Sequence, residues 1–444
     1  MRSLLPLPLA LLATAVPVQA AERPADAALM AAIAADDMAA ARAALADGAD
    51  PNRRIDFGAT PLTAAVETQD AALVAMLLAT GAKPDVADVD GTTPLGLACE
   101  RGGAGVVAAL LDAKADVRAT RPDRAGPLAI CARFGPADAV ARMLKAGARV
   151  DSPDARGQTP LMWAASRGDV PVMAMLLDAG ADANRVTKAG FTPLLFAITS
   201  GVPAAADALI AAGARTDVRG PEGASALQIA LYQRNWPVAA TLVARGANLV
   251  ERDRNGYQPL HVAAAGGDVA LVRALLGAGA DAKGLTGPSR ITWVTEANFG
   301  VAPPVPPPMT PLLVAALNGY AEAMAALVAG GADPRFVAAD GTNVVLAAAR
   351  GGSAAALARA LDIAPGADVA DTQGATPLHR LLAGGMTSEL EPMLRLLAAG
   401  GARADRRDAR GMTPAAIADG GLADVRTAFH AVFPTAPSRL AANP

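Results

Sequence analysis

The chain has 444 residues, of which 52% are hydrophobic but only 3% aromatic, and this length exceeds what one compact core accommodates. Alanine accounts for most of the difference, and because alanine favours helix but buries little area per residue, the composition is typical of many short, closely packed helices. The formal net charge of −3 gives no general electrostatic basis for binding nucleic acid or an anionic membrane, so we expect neither.

The N-terminus has the pattern of a secretory signal peptide. Arg2 is a positive n-region, Leu4 to Val18 form an apolar h-region, and residues 18–20 offer small side chains at −3 and −1 of a cleavage site after Ala20. The alternative is an uncleaved apolar helix. No cysteine stands at the cleavage point, which argues against a lipid anchor. The Ala/Arg-rich usage resembles that of bacterial proteins, so we expect the mature chain in the periplasm of a Gram-negative cell.

Beyond the N-terminus, Asp, Arg, Gly or Pro interrupts every apolar stretch. The interruptions come within about a dozen residues, whereas a spanning helix needs about 20. We therefore expect no membrane insertion of the mature chain.

A 33-residue period runs through the rest of the chain. Aligned on Thr-Pro-Leu, prolines fall at 61, 94, 127, 160, 193, 259, 311, 377 and 414, and Ala226 and Val344 occupy the same position in the gaps. The successive spacings are 33 six times, then 52, 33, 33 and 37. One step further back lands at Ala28, in a helical pattern from Ala27 to Leu45 that lacks the motif. These steps predict about twelve units, the first and last being atypical.

The unit at 159–182 illustrates the local pattern. Thr159 can cap a helix whose first residue is Pro160, since proline at that position loses no needed hydrogen bond. Trp163 is expected to point into the core, and Gly168 to end the helix. Val170 to Leu177 then has the spacing of a second apolar helix, and a glycine-containing connector leads to the next unit.

These residues resemble the ankyrin repeat: Thr-Pro-Leu-x-x-Ala-Ala, a Gly eight residues after the Pro, Leu-Leu in the second helix, and Gly-Ala-Asp. The full form stands at Thr159–Asp182 and Gln258–Asp281, and the resemblance covers about residues 26 to 433. It implies an all-α repeat solenoid of about twelve ankyrin repeats, each a helix–turn–helix with a short β-hairpin finger. We expect a signal peptide at 1–20, the solenoid at 21–434 and a flexible tail at 435–444.

Several positions depart from the repeat. Asn343 to Val345 lacks Thr-Pro, and Arg124 replaces the usual Gly, so we expect weak points in the stack at both places. Four extra residues around Gly384 to Pro392 predict a lengthened turn between two helices. The end units need polar caps, and the residues that would supply them are Asp36, Asp37, Arg42, Asp424 and Arg426.

The spacing of 52 contains 19 extra residues, at about 284–309, within one finger connector. Trp293 and Phe299 lie in this insertion, and aromatic residues exposed on a loop are costly unless they bind something or fold back. Its proline run at 303–308 favours a stiff polyproline II strand. A tolerated surface insertion and a segment that caps its own groove are the alternatives to a binding role.

The resemblance also implies where a partner would bind: at the finger tips and at the exposed ends of the first helices. Basic and aromatic side chains predominate there, and such a face would prefer an acidic partner surface. An ordinary solvated face is the alternative. The predicted partner-binding residues are Arg101, Arg133, Phe134, Arg156, Arg167, Phe191, Tyr232, Tyr257, Trp293 and Phe299.

No pattern of a catalytic, metal or cofactor site is recognisable, so we expect no cofactor. His261 and His379, which both follow Pro-Leu, are predicted to brace the fingers by hydrogen bonds. Cys99 and Cys131 stand at alanine positions of neighbouring first helices, at non-equivalent turns. Buried thiols are the simplest interpretation, and a disulfide is the alternative outside the cytoplasm.

Together these features predict a monomeric, non-catalytic protein-binding scaffold or adaptor. It would act in the periplasm through the concave face and fingers of its ankyrin repeats. The alternative is an accessory protein that binds a small ligand, or assists a periplasmic or redox enzyme, through the insertion around Trp293.

Overall fold

The computed structural model of the chain describes residues 23–290, 307–385 and 387–434. These residues form 24 α-helices in consecutive pairs, with one short 3-10 turn at Asp56–Gly58 and no β-strand. The predicted signal peptide, Trp293, Phe299 and the predicted tail lie outside the described residues. The helices are α1 Pro24–Ala34, α2 Met38–Ala46, α3 Pro61–Thr68, α4 Ala71–Ala79, α5 Pro94–Arg101, α6 Ala104–Asp112, α7 Pro127–Phe134, α8 Ala137–Lys145, α9 Pro160–Arg167, α10 Val170–Asp178, α11 Pro193–Thr199, α12 Pro203–Ala211, α13 Ala226–Tyr232, α14 Trp236–Ala244, α15 Pro259–Gly266, α16 Val269–Gly277, α17 Pro311–Leu317, α18 Ala321–Ala329, α19 Val344–Gly351, α20 Ala354–Ile363, α21 Pro377–Ala383, α22 Leu390–Ala399, α23 Pro414–Gly420 and α24 Ala423–Val432.

The predicted helix starts are confirmed at every aligned position. Each of the nine prolines, and Ala226 and Val344 in the gaps, is the first residue of a helix. The first pair differs, since α1 begins at Pro24 rather than Ala27. Asn343, expected to be a weak point, still caps α19, because its side chain accepts a hydrogen bond from Leu346 N at 2.9 Å.

The helix pairs fall into two units within the described chain. The first unit comprises residues 23–163 and 178–181, and the second comprises 164–177 and 182–434. Inside each unit, the first helix of a pair packs on the first helix of the next, and the second helices pack likewise. Leucines that follow the aligned proline, such as Leu62 and Leu194, are fully buried. Because one pair alone cannot cover its apolar side, stacking is what makes the core.

The predicted β-hairpin fingers are hydrogen-bonded turns rather than strands. In two of them, Thr187 N donates to Phe191 O and Asp253 N donates to Tyr257 O, each at 2.9 Å. Among the described residues, the only strand-like pairing is one isolated antiparallel bridge between Arg219 and Ser225. With three residues at each tip, a finger has too few consecutive bonds to extend a ladder. Arg124 takes the left-handed conformation of its missing glycine, with φ 66°, at a cost of about 1 kcal/mol.

The predicted lengthened turn is also confirmed, since the connection from α21 to α22 spans residues 384–389. No helix among the described residues has both the length and the apolar character required to cross a membrane.

A buried carboxylate fixes the start of the chain's first helix pair. Asp26 is 3% exposed and accepts hydrogen bonds from Arg23 at 2.9 Å, Arg53 at 2.8 Å and Asp50 N at 2.9 Å. Burial by itself raises the pKa of this carboxyl, but the hydrogen bonds lower it to about 2.

Candidate functional site

The insertion leaves the fold at the tip of one finger. Thr286 N donates to Met309 O at 2.9 Å, and Met309 N donates to Thr286 Oγ1 at 3.0 Å. Thr187 and Phe191 make the same pair of bonds across an ordinary finger. The 22 residues 287–308 therefore stand where other fingers have three, which accounts for the 19 extra residues. The insertion lengthens a finger tip without changing its base.

The first residues of the insertion run back along the preceding finger. Gly287 N donates to Gly256 O at 2.8 Å, and Arg290 N donates to Arg254 O at 2.7 Å. The Arg290 guanidinium donates through Nη2 to the carbonyl of Arg252 at 3.2 Å. This part of the insertion is thus anchored by backbone hydrogen bonds.

A buried histidine joins the two ends of the insertion. His261 is 0% exposed, and its Nε2 lies 3.1 Å from both Gly284 O and Met309 O. Carbonyl oxygens only accept, so Nε2 carries the proton, while buried Nδ1 has no hydrogen-bond partner among the described residues. Burial is the main reason that the pKa of His261 falls to about 4. The predicted bracing role is confirmed, and His379 likewise contacts Met412 O at 3.1 Å.

An open cleft of about 800 Å³ lies beside this anchored segment, within the second unit. Its walls are the finger 219–225, the finger 251–257 and Arg290, and its floor includes Gln228 and Tyr232 of α13. Gly223 and Ala224, whose side chains are small, also line the cleft. One of the predicted partner-binding residues, Tyr232, therefore lines this cleft.

Charged groups dominate the cleft: four arginines stand against three carboxylates. Arg219 pairs with Glu251 at 2.5 Å, and Arg254 lies 3.9 Å from Glu222. Asp253 is 7% exposed, and its Oδ1 accepts from two backbone amides of its own finger, at 2.8 Å each. The cleft therefore combines internal pairing with an excess of positive charge.

The arginines at the finger bases are not among the residues predicted from the sequence. Arg219 and Arg252 are 33 residues apart, at one repeat position, and each donates through Nη1 to the glycine carbonyl of its own finger. Their spacing of one repeat period is the signal in the sequence that would have identified them. Only finger tips and helix ends were considered as contact positions, and this position precedes the tip.

Three predicted residues of the second unit lie around the cleft or the neighbouring first helices. Tyr232 is 44% exposed, and the Arg254 guanidinium lies 5.8 Å from its ring. Tyr257 is half-buried beside His261, with ring centroids 5.9 Å apart. Burial is the larger cause of the raised pKa of Tyr257, and the nearby negative charge of Asp253 is the smaller one. Phe191 packs against Phe196, with centroids 5.6 Å apart.

In the first unit, Arg133 stacks on two aromatic rings. Its guanidinium lies 4.5 Å from the centroid of Phe134 and 4.1 Å from that of Trp163, a cation–π geometry. The prediction that Trp163 is a core residue is wrong, because it is only half-buried. Trp163 is the fourth residue of α9, and its side chain is less buried than that of Leu161, which is 0% exposed.

The remaining predicted arginines are exposed. Arg101 pairs with Glu67 at 2.5 Å, Arg156 lies at a finger tip, and Arg167 lies 4.0 Å from Asp169. Trp293 and Phe299 lie outside the described residues, so their role stays a prediction.

The two cysteines form a disulfide rather than the free thiols expected from the sequence. Cys99 and Cys131 are both 0% exposed, with Cα atoms 4.7 Å apart. They occupy the sixth and fifth positions of α5 and α7, which pack directly on each other. The one-residue offset does not separate them, because both side chains lie in the packed interface.

No group of three or more His, Cys, Asp or Glu residues suited to a metal ion occurs in the described part of the chain.

A family model described as "Ankyrin repeats (3 copies)" matches residues 29–121, 128–220 and 206–284, together more than half of the chain. The matches end at the base of the insertion, although the helix pairs continue after it. No curated protein shows a match to the chain.

Proposed function

The chain belongs to the ankyrin-repeat family, and from that premise we propose that it is a non-catalytic scaffold or adaptor that binds another protein. Ankyrin repeats generally mediate protein–protein interaction, and proteins built from them are typically not enzymes. The binding surface is the face formed by the fingers and the exposed ends of the first helices. The observation that carries the proposal is the charged cleft of about 800 Å³ beside Tyr232.

The composition of this surface supports a protein partner with acidic groups. Arg and Tyr are the residues that most often dominate binding energy at interfaces. In the second unit, Tyr232 and Arg254 are adjacent and exposed, and Arg219, Arg252 and Arg290 line the same cleft. Complementary charge on the partner would speed association and fix orientation more than it would raise affinity.

We place this function in the periplasm. The N-terminal pattern supports export, with cleavage after Ala20. The Cys99–Cys131 disulfide supports the same location, because disulfides persist in oxidising compartments. Export is tested by N-terminal sequencing of the protein from a periplasmic fraction. A mature chain that begins at Ala21 is expected, and an intact Met1 in the cytosol would contradict the proposal.

A small ligand is the second candidate for the same cleft. Its volume lies in the range of small-molecule sites, which is about 300–1,000 Å³. Such sites are, however, lined mainly by apolar side chains, whereas charged residues form most of this lining. The lining therefore favours a protein surface. In this alternative, the insertion around Trp293 would assist a small ligand or a periplasmic redox enzyme.

We also propose that the mature chain acts as a monomer and does not insert into the membrane. Light scattering coupled to size-exclusion chromatography tests the first point, and the mass of one chain is expected. A dimer mass at working concentration would contradict it.

Affinity capture from a native periplasmic extract tests the scaffold function. The mature chain is compared with a variant in which residues 287–308 are replaced by Lys-Ala-Gly, the sequence that closes the Thr187–Phe191 finger. Because both finger bases have the same hydrogen bonds, the graft should keep the fold. Circular dichroism serves as the control.

Three outcomes separate the possibilities. A partner retained only by the intact chain assigns the contact to the insertion and its anchored segment. A partner retained by both chains assigns it to the repeat face. If both chains are folded and neither retains a protein, the scaffold function is wrong and a small ligand should be sought.

A further inference from the structure

Two arginines of the cleft have no carboxylate partner among the residues that the structure describes. Neither Arg252 nor Arg290 forms an ion pair with any side chain in the described ranges 23–290, 307–385 and 387–434. The bonds of Arg252 to Gly256 O and Leu285 O both use Nη1, and those of Arg290 both use Nη2. A guanidinium carries five N–H donors, so each arginine keeps donors for a ligand while its position is fixed.

The carboxylates of the cleft do not supply the missing partners. Glu251 is engaged by Arg219 at 2.5 Å, and Asp253 accepts from the backbone amides of its own finger. Glu222 is 86% exposed at the rim, 3.9 Å from Arg254. Two positive groups thus stand at the insertion side of the cleft, and negative groups lie around them.

The arrangement of arginines and carboxylates in the cleft favours some anionic ligands over others. A compact polyanion, such as a phosphate-rich chain, would place charge next to Glu222 and Glu251 as well as next to the arginines, and like charges close together are unfavourable. An extended peptide can direct separate carboxylates to separate arginines and pass the rim carboxylates with neutral residues. Arg also binds carboxylates through two parallel hydrogen bonds.

We propose that this cleft binds an extended acidic peptide segment of the partner protein, whose Asp or Glu carboxylates pair with Arg252 and Arg290. The proposal rests on the protein-binding function above and identifies the site and the chemistry of the partner. Tyr232, exposed on the floor, provides an aromatic contact for the peptide between its charged positions.

The test uses a display library of random peptides, selected against the mature chain. Selected peptides are then synthesised with a fluorescent label, and their Kd is measured by anisotropy. We expect the selected sequences to be enriched in Asp and Glu. Arg252→Gln together with Arg290→Gln should weaken binding by about tenfold or more, since each hydrogen bond to a charged group contributes measurably. Affinity should also fall with added salt.

Matched variants separate charge recognition from structure. Arg273→Gln with Arg395→Gln removes two exposed arginines from α16 and α22, outside the cleft, and should leave Kd unchanged. Arg252→Lys with Arg290→Lys keeps both charges but loses the paired hydrogen bonds, so it should recover part of the affinity that the Gln variant loses. Equal loss in the Lys and Gln variants would mean that the arginines only hold the finger together, and it would overturn the proposal.

Other outcomes also decide the matter. Selected peptides without acidic enrichment, or acidic peptides insensitive to the Gln variant, would show that the cleft is not the acidic-peptide site. Competition by inorganic phosphate at equal charge concentration would favour a compact anion instead. If the library yields no binder while extract capture retains a protein, this proposal fails and the scaffold function stands. If both fail, the scaffold function fails as well.

Discussion

The buried histidine at the base of the insertion should make this part of the chain sensitive to acid. His261 Nε2 donates to Gly284 O and Met309 O, so the neutral ring holds both ends of the insertion. Protonation would add a hydrogen at buried Nδ1, for which the described part of the chain offers no acceptor. The charged form is therefore disfavoured in the folded state, and acid should open the finger base.

The direction and size of the effect follow from the pKa. The pKa of His261 is about 4 in the folded chain, below the value of about 6.5 expected when the chain is unfolded. The unfolded state thus binds the proton more readily between these values. Stability from the neutral ring is complete above pH 6.5 and is lost as pH falls toward 4, by about 2 kcal/mol at pH 5.

Hydrogen exchange gives a local measurement of this loss. The Thr286 amide donates across the finger base to Met309 O, so its exchange reports the opening of that base. After correction for the intrinsic pH dependence of exchange, its opening should be about thirtyfold more frequent at pH 5 than at pH 8. Peptides from α19 serve as the internal control. NMR of the three histidine rings gives the pKa directly.

The variant His261→Gln removes the titrating group but keeps an amide donor. It should exchange at the same corrected rate at both pH values, with circular dichroism confirming the fold. A His261 pKa at or above 6.5 in the folded chain would exclude this ring as the source of the acid sensitivity. A pH dependence that persists unchanged in His261→Gln would exclude it equally.

Three further predictions concern stability. Gln258→Thr should offer buried Nδ1 of His261 a hydroxyl donor and raise the free energy of unfolding by about 1 kcal/mol in urea titration; no gain would mean that the donor does not reach the ring. Replacing Cys99 and Cys131 with Ala should lower the free energy of unfolding by about 4 kcal/mol, since the disulfide closes a separation of 32 residues. Two free thiols found by mass spectrometry in the oxidised wild type would contradict this. Asp26→Asn should cost about 2 kcal/mol at pH 7 and remove the loss of stability that the wild type shows as pH falls from about 4 to 2; an unchanged acid profile would exclude the carboxyl as its source.

The sequence predicted the helical repeats well because the repeat is encoded locally. Proline at the first helical position and a polar cap before it fix each helix start, independently of distant contacts. Even Val344 begins a helix as expected, because Asn343 supplies the cap that Thr supplies elsewhere. The fingers were predicted as hairpins but have too few cross-finger bonds to form strands.

The site was predicted only in part, because its residues depend on packing between units of the repeat. Trp163 was assigned to the core from its apolar character, whereas helix rotation leaves it half-exposed under Arg133. The Cys99–Cys131 pairing depended on the offset between neighbouring helices, which the sequence does not specify. Arg252 contacts the start of the insertion because that segment crosses its finger, through Gly287 N to Gly256 O, and because its guanidinium donates to Leu285 O.

The central claim is that a partner protein binds the face of fingers and first helices in the second unit. Site-specific photo-crosslinking in cells tests it most directly, with the crosslinking amino acid placed at Tyr232 on α13 or, as the control, at exposed Arg273 on α16. A crosslinked protein partner is expected from Tyr232 and none from Arg273. A partner crosslinked from Arg273 alone, or no protein crosslinked from Tyr232 in a folded chain, would contradict it.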